Sequence, residues 1–67
     1  MNIIINNLAE QLPYDHATVE DLVKYKDYPV QGTAVAVNGS LASKEKWCVT
    51  PLHEGDNITV ISAAFGG

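Results

Sequence analysis

"GTAVAVNGSL", residues 32–41, is the stretch on which the fold turns. Val35 and Val37 alternate with Ala34 and Ala36. That period of two places β-branched side chains on one face of a strand and methyl groups on the other. Asn38-Gly39 follows at once. Both residue types accept positive φ, so the pair is the favoured two-residue turn of a β-hairpin, with a short return strand around Leu41. A lone hairpin is marginal in water, so the flanking sequence must supply a helix and further strands.

It supplies both. "MNIIIN", residues 1–6, reads as a strand with Met1, Ile3 and Ile5 on one face and Ile4 on the other. Asn6-Asn7 is a turn signal, and residues 8–12 return with Leu8, Glu10 and Leu12 on a shared face, as an edge strand that Pro13 ends. "ATVEDLVKYKDYP", residues 17–29, is the helix. Thr18 and Asp21 approximate a capping box. Val19, Leu22 and Val23 form an apolar stripe. Glu20 and Asp21 at the start, and Lys24 and Lys26 at the end, complement the helix dipole. Pro29 restricts Tyr28, which predicts a stop near Asp27. "SKEKW", residues 43–47, suits one helical turn. In "PLHEGDNITVIS", residues 51–62, Gly55-Asp56-Asn57 turns the chain into a last strand, with Ile58 and Val60 inward and Thr59 and Ile61 outward.

One helix against one sheet of four to five strands is an α+β layer architecture. The helix stripe requires an apolar sheet face, which Ile3, Ile5, Val35, Val37, Ile58 and Val60 provide. The other sheet face has no second helix to cover it. It would carry Ile4, Ala34, Ala36, Thr59 and Ile61, either as a partner-docking patch or as ordinary scattered exposure.

Sixty-seven residues make one small domain, with a modest core and no room for a deep, enclosed active site. The expected division is a folded domain over residues 1–62 and a flexible tail over residues 63–67. A hydrophobic content of 46% indicates a folded globule rather than a disordered chain. Four basic against eight acidic residues give a net charge of −4, without the basic stripe of a nucleic-acid binder. One cysteine precludes an intrachain disulfide and fits a reducing compartment. There is no basic-then-apolar leader and no run near the ~20 apolar residues of a membrane span, so the expected location is the cytoplasm.

The chain is poor in catalytic groupings. Cys48, between Trp47 and Val49, reads as a small buried apolar residue rather than a thiolate nucleophile. Trp47 reads as a core or edge anchor. His16 and His53, with a single cysteine, do not make a metal signature, and His53 beside Glu54 reads as solvated. Gly66-Gly67 lacks the lysine and following helix of a phosphate loop. The expectation is a protein that is not itself an enzyme and binds no cofactor or metal.

The candidate working group is then the end of the sequence, Ala63, Ala64, Phe65, Gly66 and Gly67. A terminal carboxyl has a reference pKa of about 3.3–3.7 and is ionised at neutral pH. It must be activated before it can react, for instance as a mixed anhydride with AMP. Glycine has no Cβ and lets its backbone approach other groups closely. Five extended residues reach roughly 17 Å, enough to enter a partner's cleft.

The "VAVNG" hairpin, Trp47 a few residues on, "EGDNITVI" at residues 54–61 and the closing Gly-Gly resemble the ThiS-type sulfur carriers of thiamine biosynthesis over nearly the whole chain. The resemblance implies a ubiquitin-like β-grasp fold, a mixed sheet whose first and last strands pair in parallel at its centre. It implies that a partner enzyme adenylates the Gly67 carboxylate with Mg-ATP. A sulfur-donor protein then provides the sulfur of a thiocarboxylate, which is delivered to thiazole synthase. Ala63, Ala64, Phe65 and Gly66 would thread the partner's active site. Ile4, Ala34, Ala36, Thr59 and Ile61 would form the docking face. "LASKEKW" and the bulky Phe65 depart from the family pattern. The small subunit of molybdopterin synthase is similar in fold and tail but usually carries prolines before the tail; "VISAAFGG" has none. A ubiquitin-like modifier, joining Gly67 to a lysine, shares the activation chemistry and remains an alternative, as does an interaction domain with an idle tail.

Overall fold

The computed structural model describes residues 1–62. Strands β1 (Asn2–Ile5) and β2 (Leu8–Gln11) form the first hairpin; a short β3 (Ala17–Thr18) runs into helix α1 (Val19–Tyr25). The second hairpin, β4 (Thr33–Val37) and β5 (Ser40–Ala42), is followed by a 3₁₀ turn over Lys44–Val49, a short β6 (Pro51–Leu52) and β7 (Asn57–Ser62). The main sheet has the order β2-β1-β7-β4-β5. β1 and β7 are parallel, with Ile4 opposite Asn57 and Ile5 opposite Ile58, and the other pairs are antiparallel. This is the ubiquitin-like β-grasp.

The core lies between α1 and one sheet face. Ile3, Ile5, Val35 and Ile58 from the sheet meet Val19, Leu22 and Val23 from the helix, all buried. Val37 and Val60, expected in the core, pack against it only partly buried. Leu8 shares the core-side face of Ile5, its cross-strand partner, yet is exposed at the turn end of the edge strand, whereas Leu12 is buried.

Helix α1 starts where its cap predicts. The Thr18 hydroxyl accepts from Asp21 N at 3.3 Å, and Thr18 N donates to the Asp21 carboxylate at 2.9 Å, a reciprocal pair that satisfies two otherwise orphaned donors. The termination has a different cause from the one expected. Asp27 adopts φ 57°, Tyr28 N donates to Val23 O at 3.0 Å, and Asp27 N to Lys24 O at 3.1 Å. That is a Schellman closure, which ends the helix before Pro29 acts.

β3 and β6 pair as a second, two-stranded sheet, with Ala17 opposite Leu52 and both buried. Sequence alternation did not announce it, because two-residue strands carry no period. Trp47 is buried as an anchor, and its Nε1–H donates to Ala42 O at 2.9 Å. Cys48 is the correction: it is exposed, not buried. A 3₁₀ turn has three residues per turn, so placing Trp47 inward turns its two successors outward, and Val49 is exposed as well.

Glu54 joins the last turn to the first strand: its Oε1 accepts from Asn2 N at 2.9 Å. This bond holds the carboxyl below its ordinary 4.5. A folded-state value below the unfolded one gives stability that is complete above about pH 4.5 and disappears as pH falls through the folded value. Glu54→Gln should therefore lose less stability than the parent on acidification below that pH. Urea midpoints at a series of pH values check this, and parallel curves would contradict it.

Candidate functional site

Strand pairing places the expected docking residues together. Ala34 lies opposite Ile61 and Ala36 opposite Thr59, while Ile4 lies opposite Asn57, two residues before Thr59. All five face away from α1. Ile4 is 38% and Ile61 61% exposed, Thr59 is exposed, and Ala34 and Ala36 are half-buried. The register adds two members that the sequence reading omitted. Leu41, 73% exposed, is opposite Ala36, and Ala9 is opposite Ile4. The Asn38-Gly39 turn already contained the signal for Leu41, because a two-residue turn sets Val37 against Ser40 and hence Ala36 against Leu41.

The face continues to the end of β7. Ser62 is opposite Thr33 at the start of β4, so the last described residue of β7 lies next to Ile61, which pairs with Ala34. Ala63, Ala64, Phe65, Gly66 and Gly67, the expected tail, lie outside the described residues.

A hydrogen-bonded knot fixes the start of β7. Asn38 Nδ2 donates to Asp56 Oδ1 at 3.0 Å, and Asn57 N donates to Asn38 Oδ1 at 2.9 Å. Asp56 Oδ2 accepts from His53 N at 2.7 Å, and Asp56 O accepts from Ile4 N at 2.9 Å. Asp56 is a buried carboxylate, and these partners satisfy it. The "VNG" and "EGDN" motifs are thus one structural unit. They lock the β4–β5 hairpin to β7 and β7 to β1, which aligns the strands that carry the open face.

Among the described residues the other chemistry-bearing groups do not converge. His16 and His53 are exposed, and His53 Nδ1 sits 3.7 Å from the Asp56 carboxylate. Among the described residues no three His, Cys, Asp or Glu side chains are grouped to hold a metal ion, and no helix is long and apolar enough to cross a membrane. A recess of about 270 Å³, lined by Gln11, Leu12, Pro13 and Tyr25, lies where β1 begins, at the opposite end of the sheet from Ser62.

Comparisons with known proteins agree with this fold. The sulfur carrier protein ThiS of Escherichia coli K12 is 30% identical over 67 residues, covering all of both chains. The crystal structure of the thiamine biosynthesis protein ThiS from Geobacter metallireducens superposes with a TM-score of 0.84 at 22% identity, again over all of both chains. A solution structure of a thiamine biosynthesis protein from the same organism gives 0.82 at 20% identity, covering all of this chain and 87% of the other. The ThiS family model matches residues 3–67, and the chain belongs to the ThiS family.

Proposed function

We propose that this chain is a sulfur carrier of thiamine biosynthesis and that the Gly67 carboxylate carries the sulfur. The observation that supports this most directly is the extent of the family match, which runs through Gly66 and Gly67. A partner enzyme, using Mg-ATP, joins the carboxylate oxygen to the α-phosphorus of ATP and releases pyrophosphate. The acyl-adenylate that results has a good leaving group. A sulfur nucleophile at the oxidation level of sulfide, delivered by a donor protein, attacks the carbonyl carbon. AMP departs with the C–O electron pair, and a thiocarboxylate remains for thiazole synthase. The chain contributes recognition and a reachable carboxylate; the partners contribute the bond-making groups.

Carrier-dependent exchange of labelled pyrophosphate into ATP by an activating enzyme tests the first step. Exchange should need this chain with its Gly67 carboxylate free. Exchange equal to the enzyme-alone background would contradict the proposal.

The open sheet face is the proposed docking surface, and the tail follows directly from its Ile61 corner. Ala36, between Thr59 and Leu41, is near its centre. Ala36→Arg would set an unpaired charge in an apolar contact, where a central residue commonly governs affinity. Affinity for the activating enzyme should fall by roughly ten-fold or more with melting unchanged. A calorimetric titration giving equal affinities would move the docking surface elsewhere.

A further inference from the structure

β7 outlasts its parallel partner. β1 ends at Ile5, opposite Ile58, while β7 continues to Ser62. Along the side of β7 that faces β1, alternate carbonyls take the rungs. Asp56 O accepts from Ile4 N at 2.9 Å, and Ile58 O accepts from Asn6 N at 2.9 Å. Val60 comes next, but the backbone of β1 has already turned away: Asn6 and Asn7 have φ of 50° and 69° and lead into β2.

The Asn6 carboxamide takes the vacant rung. Its Nδ2 donates to Val60 O at 3.2 Å, and its Oδ1 accepts from Val60 N at 2.8 Å. A side-chain amide has the donor and acceptor of a peptide group, so one side chain extends a two-rung parallel ladder to a third. The turn alone does not demand this residue. Glycine meets the φ requirement and aspartate tolerates it, but neither offers both a donor and an acceptor.

Building on the proposed carrier function, we infer that Asn6 is a positioning residue for the reacting tail. Its carboxamide pins Val60 from the β1 side, where β4 alone pairs with Ile61 and Ser62 from the other, and so fixes the end of β7 that precedes the residues up to Gly67. Any residue released from the strand must be ordered again when the carboxylate enters the partner. Ordering the backbone of one residue corresponds to roughly ten-fold in the productive fraction. Docking through the sheet face does not involve this bond, so its loss affects the reaction after docking rather than docking itself.

The test compares Asn6→Gly, which keeps the turn and removes the fork, with Asn7→Gly in the same turn. Three quantities are read: hydrogen exchange of the Val60 amide, affinity for the activating enzyme, and the single-turnover rate of acyl-adenylate formation at saturating enzyme. Asn6→Gly should expose the Val60 amide, leave affinity unchanged and slow adenylation by roughly ten-fold, whereas Asn7→Gly should match the parent in all three. Asn6→Asp, which keeps the acceptor and loses the donor, should fall between. A merely structural role would lower the melting temperature and leave the adenylation rate of folded protein at the parent value, which would overturn the inference. A parent chain that forms no adenylate would overturn the carrier reading and this role together. A reactive parent equalled by Asn6→Gly would overturn the positioning role alone.

Discussion

Deleting Gly67 is expected to abolish adenylate and thiocarboxylate formation while the protein melts like its parent. The core cluster runs from Ile3 to Ile58, and terminal residues beyond a domain's last strand contribute little to stability. Reactivity depends on different requirements. The carboxylate oxygen must reach the α-phosphorus of ATP, and deletion of one extended residue withdraws it by roughly 3.5 Å. A misplacement of ~1 Å can already cost on the order of 100-fold in rate. Adding one alanine after Gly67 should be equally damaging, because the carboxylate then overshoots and its residue acquires a Cβ. Both variants should bind the activating enzyme through the sheet face and remain unreactive there. Thermal melts with intact mass analysis check both halves, and efficient thiocarboxylate formation by the deletion variant would overturn the assignment of Gly67.

Leu22→Ala should have the largest effect on stability. Leu22 is 0% exposed and lies at the centre of the helix stripe, between the buried Val19 and Val23. Its removal forfeits transfer energy and leaves a cavity, together worth about 2–5 kcal/mol. Whole domains are commonly stable by only about 5–15 kcal/mol, and small ones lie toward the low end. The urea midpoint should therefore fall steeply, and a large fraction of the variant should be unfolded at physiological temperature. Folded molecules should still be adenylated, since Leu22 is on the far side of the sheet from the proposed docking face. An unchanged midpoint would contradict the core assignment.

These expectations differ in how far they were legible in the sequence. Local chemistry was readable: the Thr18–Asp21 cap, the Asn38-Gly39 hairpin and the Val19, Leu22, Val23 stripe each involve residues within a few positions of one another. The parallel β1–β7 pairing joins segments more than fifty residues apart. Alternation reveals that each is a strand but not that they are neighbours; the family resemblance provided that. The Asn38–Asp56–Asn57 knot was invisible for the same reason, since its members look like two unrelated turns until β4 and β7 are set side by side. Asn6 read as a turn residue because the φ requirement is local, whereas the use of its carboxamide at Val60 is not. Cys48 was misread because its apolar neighbours suggested burial, while the 3₁₀ period allows only Trp47 inward. The residues of the open sheet face followed from the period of two, and register alone added Leu41 and Ala9.

The central claim is that Gly67 carries the sulfur, and the most direct measurement is the intact and fragment mass of the parent chain after incubation with an activating enzyme, Mg-ATP and sulfide. The account predicts replacement of one oxygen by sulfur, localised by fragmentation to Gly67 and dependent on ATP. Recovery of the unmodified mass, under conditions in which the same enzyme converts its own carrier, would contradict it.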